Sequence, residues 1–542
     1  MKKKTVWTES LIIGFTRVAL QSLLAGQPRR LSVFKPALCG SLLIVGIALA
    51  ADAFAQAVPV TPADRGYLEA QKAFRSRNYA EATRLFYLTV LGSEGSIKAK
   101  AEFGVAESLR KLSLHYGAAY FYGRIVAQGP KNDFFRDALA ELGRINSVKS
   151  LGKASISGML GPGVPSIAVP PPAQGFYFFY KGLEAFEKKD ARGARADFAR
   201  VPEASSYYPS AQYYLGVIES ISGDADSALK SFTRVLRKPP TDAIRELAIM
   251  NIARLYYEKA NYRKSFQFYS QIPRNSDLWL QSLFEGAYAF FLIQKHNNTL
   301  GNIHTIHSPF FEARFFPETY ILQAISYLKL CRNDEVRDSL KRFQERYKPT
   351  FVDLNGLLKA YADQPTGFFN VIRQYRAVGT LREYKEAIEV IDNVSRSDAY
   401  KEAVLVVRRL EKEKDKLARY SAKWEYAGLA QVLRDSFDQR AAATLKSAGE
   451  DLFNAAVQQF RYLKDLSDQT TLINYEMLGN RTDALRARLN QEPPQDDGTQ
   501  WGEGMRPLNL KQQLEYWPFE GEYWEDELGG YVYNIDSKCG KK

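Results

Sequence analysis

The sequence predicts an all-α protein: a helical-repeat solenoid, then longer helices forming a hairpin, then an irregular aromatic C-terminal tail. Three observations predict it. Equivalent positions recur at Ala194, Ala228, Ser265, Leu300 and Val336, spaced 34, 37, 35 and 36 residues apart, and a period near 34 marks stacked helix pairs. The chain carries 32 Tyr and 32 Phe in 542 residues, an aromatic excess that stacked helices absorb between neighbours. Residues 400–424 place apolar side chains at alternating three and four spacing, the mark of a longer helix packed along one stripe. Hydrophobic residues at 45% and charged residues at 25% are ordinary for a soluble chain and exclude disorder for most of it.

The first 55 residues read as an address. LCGSLLIVGIALA, residues 38–50, is an apolar run of signal-peptide length, preceded by Lys35 and followed by the small-residue pattern Ala53-Phe54-Ala55. It is shorter than the ~20 residues a membrane span needs, so cleavage near Gln56 is expected over an anchor. The basic stretch before it is long, and Val33 or Leu31 is a candidate true start. Cys39 precedes the apolar core and is badly placed for a lipid anchor. The leader carries seven Lys/Arg and two Asp/Glu, a net +5, which leaves +8 of the formal +13. No dense basic tract remains, so nucleic acid is not expected as a partner. Cys331 and Cys539 remain in the exported chain; an oxidising compartment permits a bond between them without requiring it.

A first short array is expected over 56–150. Ala70, Ala82 and Phe86 fit the repeat frame, and a degenerate unit follows with Gly104 and Ala119. GMLGPGVPSIAVPPPAQG, residues 158–175, breaks the array, and a Pro/Gly linker is expected over 151–175. The second array, 176–349, holds the best copy: Leu215-Gly216, then Ala228, Phe232, Val235 and Pro240. That is the tetratricopeptide pattern of two antiparallel helices. Gly182, Ala194 and Phe198, then Ala253, Ser265 and Tyr269, repeat it. Rings such as Tyr256, Tyr257, Phe266 and Phe268 are expected in the solenoid core, with no cofactor to hold.

After Pro349 the period fades, and long helices are expected over 350–490. Ala403, Val407, Leu410, Leu417 and Trp424 form the stripe, with Lys414 interrupting it, and Leu452, Ala456, Phe460 and Leu463 recur in a second helix. A helical hairpin packed on the solenoid is expected rather than a coiled-coil dimer. Pro493-Pro494 opens the tail, 491–542.

Chemistry is sparse. His304 and His307 lie three apart on a predicted helix, but no third ligand has metal spacing, and His304 occupies a site that better repeats fill with a ring. No GxSxG, GxxxxGK or HExxH motif occurs. The chain is expected to be no enzyme and to hold no catalytic, cofactor or metal site. The rival reading lies in EYWPFEGEYWEDELGGYVY, residues 515–533, with six carboxylates among seven rings. Glu520, Glu522, Glu525, Asp526 or Glu527 beside Trp517 and Trp524 would suit a glycan-cleaving or peptidoglycan-binding site. A run of acids on a terminal tail is normally solvated, however, and an acid must be partly buried to keep its proton. The tail is therefore expected to be a strap, with Trp517, Phe519, Tyr523 and Trp524 as anchors against the helices or a partner.

A resemblance rests on Trp279 with Phe284-Glu285-Gly286-Ala287-Tyr288, on Leu300-Gly301-Asn302, on Ser308-Pro309-Phe310 with Pro317-Glu318, and on the tail from Tyr516 to Trp524 followed by Asp526-Glu527-Leu528-Gly529. With these residues the chain resembles the periplasmic tetratricopeptide-repeat proteins of the adventurous gliding-motility machinery of gliding and predatory bacteria. The resemblance implies a periplasmic, non-enzymatic scaffold whose partners are envelope proteins of a trans-envelope complex. Peripheral association with the outer or inner membrane, and the oligomeric state, stay open.

Overall fold

The computed structural model describes residues 62–161, 168–239, 241–489 and 521–539. The expected signal peptide, and Trp517 and Phe519 of the tail, lie outside the described residues. Every regular element among the described residues is a helix. In order these are α1 (Pro62–Arg75), α2 (Tyr79–Leu91), α3 (Gly95–Lys111), α4 (His115–Ala127), α5 (Phe135–Val148), α6 (Lys153–Met159) and α7 (Pro171–Glu187). Then come α8 (Ala191–Ala199), α9 (Tyr208–Ile221), α10 (Ala225–Arg237), α11 (Asp242–Glu258), α12 (Tyr262–Tyr269), α13 (Trp279–Leu292) and α14 (His296–Ile306). The last are α15 (Glu318–Lys329), α16 (Asn333–Ala360), α17 (Pro365–Val378), α18 (Ile388–Ser395), α19 (Asp398–Ala418), α20 (Ser421–Trp424) and α21 (Leu429–Leu489).

One turn design recurs seven times. Arg77, Ser113, Lys189, Gly223, Ala260, Gln294 and Cys331 all take positive φ, between 54° and 79°, and each sits two residues before the second helix of a pair. The residue after each donates its N–H to a carbonyl five back, as Asn78 does to Ala73 O at 3.0 Å and Arg332 to Tyr327 O at 3.0 Å. This is the closing pattern of a helix end with a left-handed residue. Six of the seven lack glycine, at about 1 kcal/mol each, so the tight reversal is held by the packing that follows it. Four second helices are capped locally: Asn78, Asp190, Asp224 and Asn261 accept from the amides of Glu81, Gly193, Ser227 and Lys264.

The repeat positions are core positions of their own helix pairs. Ala82, Ala194, Ala228, Ser265, Leu300 and Val336 are fully buried, each the fourth or fifth residue of its helix. Successive helices pack in order, α1 on α2 through α4 on α5, and α10 on α11 through α15 on α16. This sequential packing is that of a repeat helical array. The rings expected in the core, Tyr256, Tyr257, Phe266 and Phe268, are only half-buried: Tyr256 stacks on Phe268 at 5.4 Å and Phe266 meets Phe290 at 4.3 Å between neighbouring helices, with part of each ring left in solvent.

The chain divides into two units. The first takes the described residues up to Ile218 with Asp363–Asn370 and Arg396–Ala455; the second takes Glu219–Ala362, Val371–Ser395 and the chain from Ala456 on. In the first unit α19 and α20 return to the opening helix pairs. Leu114 provides α4 with no side-chain cap, and Glu413 of α19 supplies it from 296 residues away, accepting from Gly117 N at 2.8 Å. Burial pushes the Glu413 carboxyl up to about 7 although amides at the α4 start and Arg440 favour its charge. Trp424, fully buried, donates from Nε1 to Ala80 O at 2.9 Å.

Four expectations need correction. The stripe of α19 runs Ala403, Val406, Leu410, Glu413, Leu417; Val406 and Glu413 are buried and Val407 is only half-buried, so the three-four alternation runs in the other phase, through 406 and 413 rather than 407 and 414. Lys414 does not interrupt the stripe: it faces outward and pairs with Asp438 of α21. Helix also reaches into both ends of the expected linker, over Lys153–Met159 and from Pro171, where Pro is tolerated because the first helical amides need no partner. Pro349, expected at the close of the second array, sits inside α16, which continues to Ala360.

Candidate functional site

Within the second unit, residues 521–539 lie as a strap along α14 and the end of α15. Its path is drawn by backbone bonds. Gly529 N donates to Thr305 Oγ1 at 2.9 Å, Tyr533 N to Asn297 O at 3.0 Å, and Lys538 N to Leu330 O at 2.8 Å. Asn297 Nδ2 returns a bond to Ile535 O at 3.3 Å, and the guanidiniums of Arg274 and Arg332 donate to the carbonyls of Asp526 and Asp536 at 2.9 and 3.3 Å. From 529 to 533 the strap rises as α14 descends from 305 to 297, so the two run antiparallel. Cys331 and Cys539 then join in a disulfide with Cα atoms 5.0 Å apart, closing the strap onto the turn between α15 and α16.

Two glycines permit the approach. A Cβ on Gly301, in the middle of α14, would stand 1.8 Å from Tyr531 O and 3.0 Å from Val532 Cα. Glycine inside a helix is destabilising by about 0.5–1 kcal/mol relative to alanine, and the passing strap is the reason this one is there. Gly529, at φ 86°, turns the strap against the Trp279 ring.

His304 is the ring the strap covers. Tyr523 stacks on it at 4.8 Å, and Tyr531 and Tyr533 meet it edge-on at 5.1 and 5.7 Å. The Tyr533 hydroxyl lies 3.3 Å from His304 Nδ1. Desolvation holds His304 down to about 4, so the strap packs on a neutral ring. Between pH 4 and 6.5 only the unfolded or uncovered imidazole takes up a proton, and strap docking weakens as pH falls through that window. One turn on, His307 stacks on Tyr320 at 4.2 Å and hydrogen-bonds Thr319 Oγ1 at 2.7 Å; desolvation holds it down to about 3. Among the described residues no three His, Cys, Asp or Glu side chains converge on a metal position.

Two of the four rings expected as anchors lie among the described residues: Tyr523 is half-buried on His304, and Trp524 keeps 52% of its surface exposed while its backbone N–H donates to the Tyr531 hydroxyl at 3.1 Å. The chain turns there, with Glu527 N donating to Trp524 O at 3.1 Å, which aims the indole outward. Leu528, 4% exposed, is the strap's buried apolar residue. Glu525, Asp526 and Glu527 are exposed.

Two buried carboxylates brace the helices beneath and were not singled out as such from the sequence. Glu285 receives Arg254 at 2.6 and 2.8 Å, Tyr269 at 2.8 Å and Gln281 at 2.8 Å, tying α11, α12 and α13. Glu318 accepts from Tyr288 at 2.6 Å and from Tyr462, tying α13, α15 and α21, and burial raises its carboxyl to about 7. The signal available was a lone Glu inside an aromatic run, Phe284-Glu285-Gly286. A depression of about 490 Å³ on α16 is lined by Asp334, Arg337, Asp338, Lys341 and Asn474 among others, with no ring or histidine in it. Among the described residues no helix is long and apolar enough to cross a membrane. No protein-family model matches the chain, and comparison with curated proteins finds no relative.

Proposed function

We propose that this chain is an exported, non-enzymatic scaffold of the tetratricopeptide-repeat kind, working in the periplasm as part of a gliding-motility-like cell-envelope complex. Its partners are envelope proteins, met through the repeat helices and the aromatic strap. The observation that carries the reading is the strap itself: a segment of extended chain lies along a repeat helix through backbone bonds, ring stacking and a helix glycine. That is how a helical array receives a peptide. The disulfide supports export, since such bonds persist in oxidising compartments. The glycan reading finds less support, because Glu525, Asp526 and Glu527 are exposed and a general acid needs burial to keep its proton.

Crosslinking followed by mass spectrometry in the native host tests this. Envelope proteins joined to residues near α13 to α15 are the expected result; recovery of peptidoglycan alone would overturn it. Purified chain incubated with peptidoglycan should release no fragments.

A further inference from the structure

The geometry points to the Cys331–Cys539 bond as a thiol–disulfide exchange site, at which a dithiol unlatches the strap and uncovers the α14 face. Four observations converge. Both cysteines are exposed, so a thiolate can reach either sulfur. The bond lies at the far end of the strap, just past the last backbone hydrogen bond, the one from Lys538 N to Leu330 O. Upstream of it the strap is held by its own amides at Gly529, Tyr533 and Lys538, by single side-chain bonds from Arg274, Asn297 and Arg332 to its carbonyls, by an exposed Lys538–Glu335 pair, and by rings that are only half-buried. Leu528 is its one apolar side chain among the described residues that is buried, so little surface would resist release once the latch opens.

The chemistry balances with a dithiol as the co-reactant. One thiolate of the dithiol attacks Cys539 Sγ; a mixed disulfide forms, the Cys331–Cys539 bond breaks, and Cys331 leaves as a thiolate that takes up a proton. The second thiol of the reagent then attacks the reagent sulfur of the mixed disulfide. Cys539 leaves and is protonated, and the reagent departs as its cyclic disulfide. Two electrons and two protons pass to the protein. What is uncovered is a face bearing His304, Thr305, Asn297 and Trp279 beside Gly301, ready for a second extended segment of the same character: a glycine at the close approach and tyrosines at alternate positions.

The test uses the purified, oxidised full-length chain with dithiothreitol as the dithiol. Peptide mapping after alkylation reads the bond, and hydrogen exchange reads the amides of Gly529, Tyr533 and Lys538. Reduction of the native chain at millimolar reagent, with exchange at those three amides at least tenfold faster and the amides of α10 and α11 unchanged, is the expected result. A Cys331→Ser, Cys539→Ser chain should exchange at the reduced rate without reagent. The inference is overturned if the bond resists reduction until the protein unfolds, or if the strap amides exchange equally slowly in both forms. Both readouts are independent of where the protein resides, so their failure would leave the envelope-scaffold reading standing, and the failure of that reading would leave the latch standing.

Discussion

The two units are each closed by a segment from far along the chain, and they are closed by different physics. In the first unit the closing segment is helical and its contacts are buried: Trp424 is fully buried, Glu413 is 5% exposed, and each satisfies backbone groups of the opening helices. In the second unit the closing segment is an extended strap, joined by backbone bonds, half-buried rings and one covalent bond. A side chain sunk into a core cannot leave without opening that core. A strap of backbone bonds over a helix can leave and leave the helix standing. The first closure is architecture, and the second is a removable cover.

The comparison can be broken first at Trp424. Trp424→Ala should destabilise the first unit by about 3–5 kcal/mol, read as a lower denaturant midpoint; a change under about 1 kcal/mol would show that this closure is as superficial as the strap. Next comes Gly301→Ala, which has no room for its methyl beneath Tyr531 O. It should expel the strap from α14, seen as fast exchange at Gly529 and Tyr533, while α14 itself gains up to about 1 kcal/mol of helix propensity. Slow strap amides in that variant would mean the strap does not lie where it is drawn.

Acid–base behaviour sharpens the contrast. Glu413 titrates at about 7 when folded against an ordinary 4.5. Between those values the folded chain holds a proton that the unfolded chain has lost, so this group's contribution to stability falls as pH rises from 4.5 to 7. Glu413→Gln should flatten that slope, measured as the difference between variant and parent midpoints at pH 5 and pH 8. His304 acts in the opposite sense, loosening the strap as pH falls. The smallest effect is in the turns: Lys189→Gly should stabilise the α7–α8 reversal by about 0.5–1 kcal/mol, since Lys189 holds φ 61° with a side chain. No gain would mean that the turn is strained by something other than its φ.

Much of the fold was legible because helix pairs are local. The period picked out Ala194, Ala228, Ser265, Leu300 and Val336, and each is buried in its own helix pair. Tertiary substitutions were not legible. Nothing in the spacing of Glu413 says that it caps a helix 296 residues earlier, and its charge made the stripe of α19 read as Val407 and Lys414. The strap was legible in kind, from rings on a terminal segment, but not in detail. Backbone direction sets Tyr523, Leu528 and Gly529 against the helices and leaves Trp524 52% exposed, and a helix glycine at 301 was the sign that something crosses there.

The central claim, that one closure is structural and the other a cover, is tested most directly by removing the cover. Hydrogen exchange should be compared between the oxidised full-length chain and a Cys331→Ser chain truncated before Tyr516. The account predicts unchanged protection in α2, α4 and α19, and faster exchange confined to α14 and the end of α15, with the fold intact. Unchanged protection across α14, or collapse of the whole second unit, would contradict it.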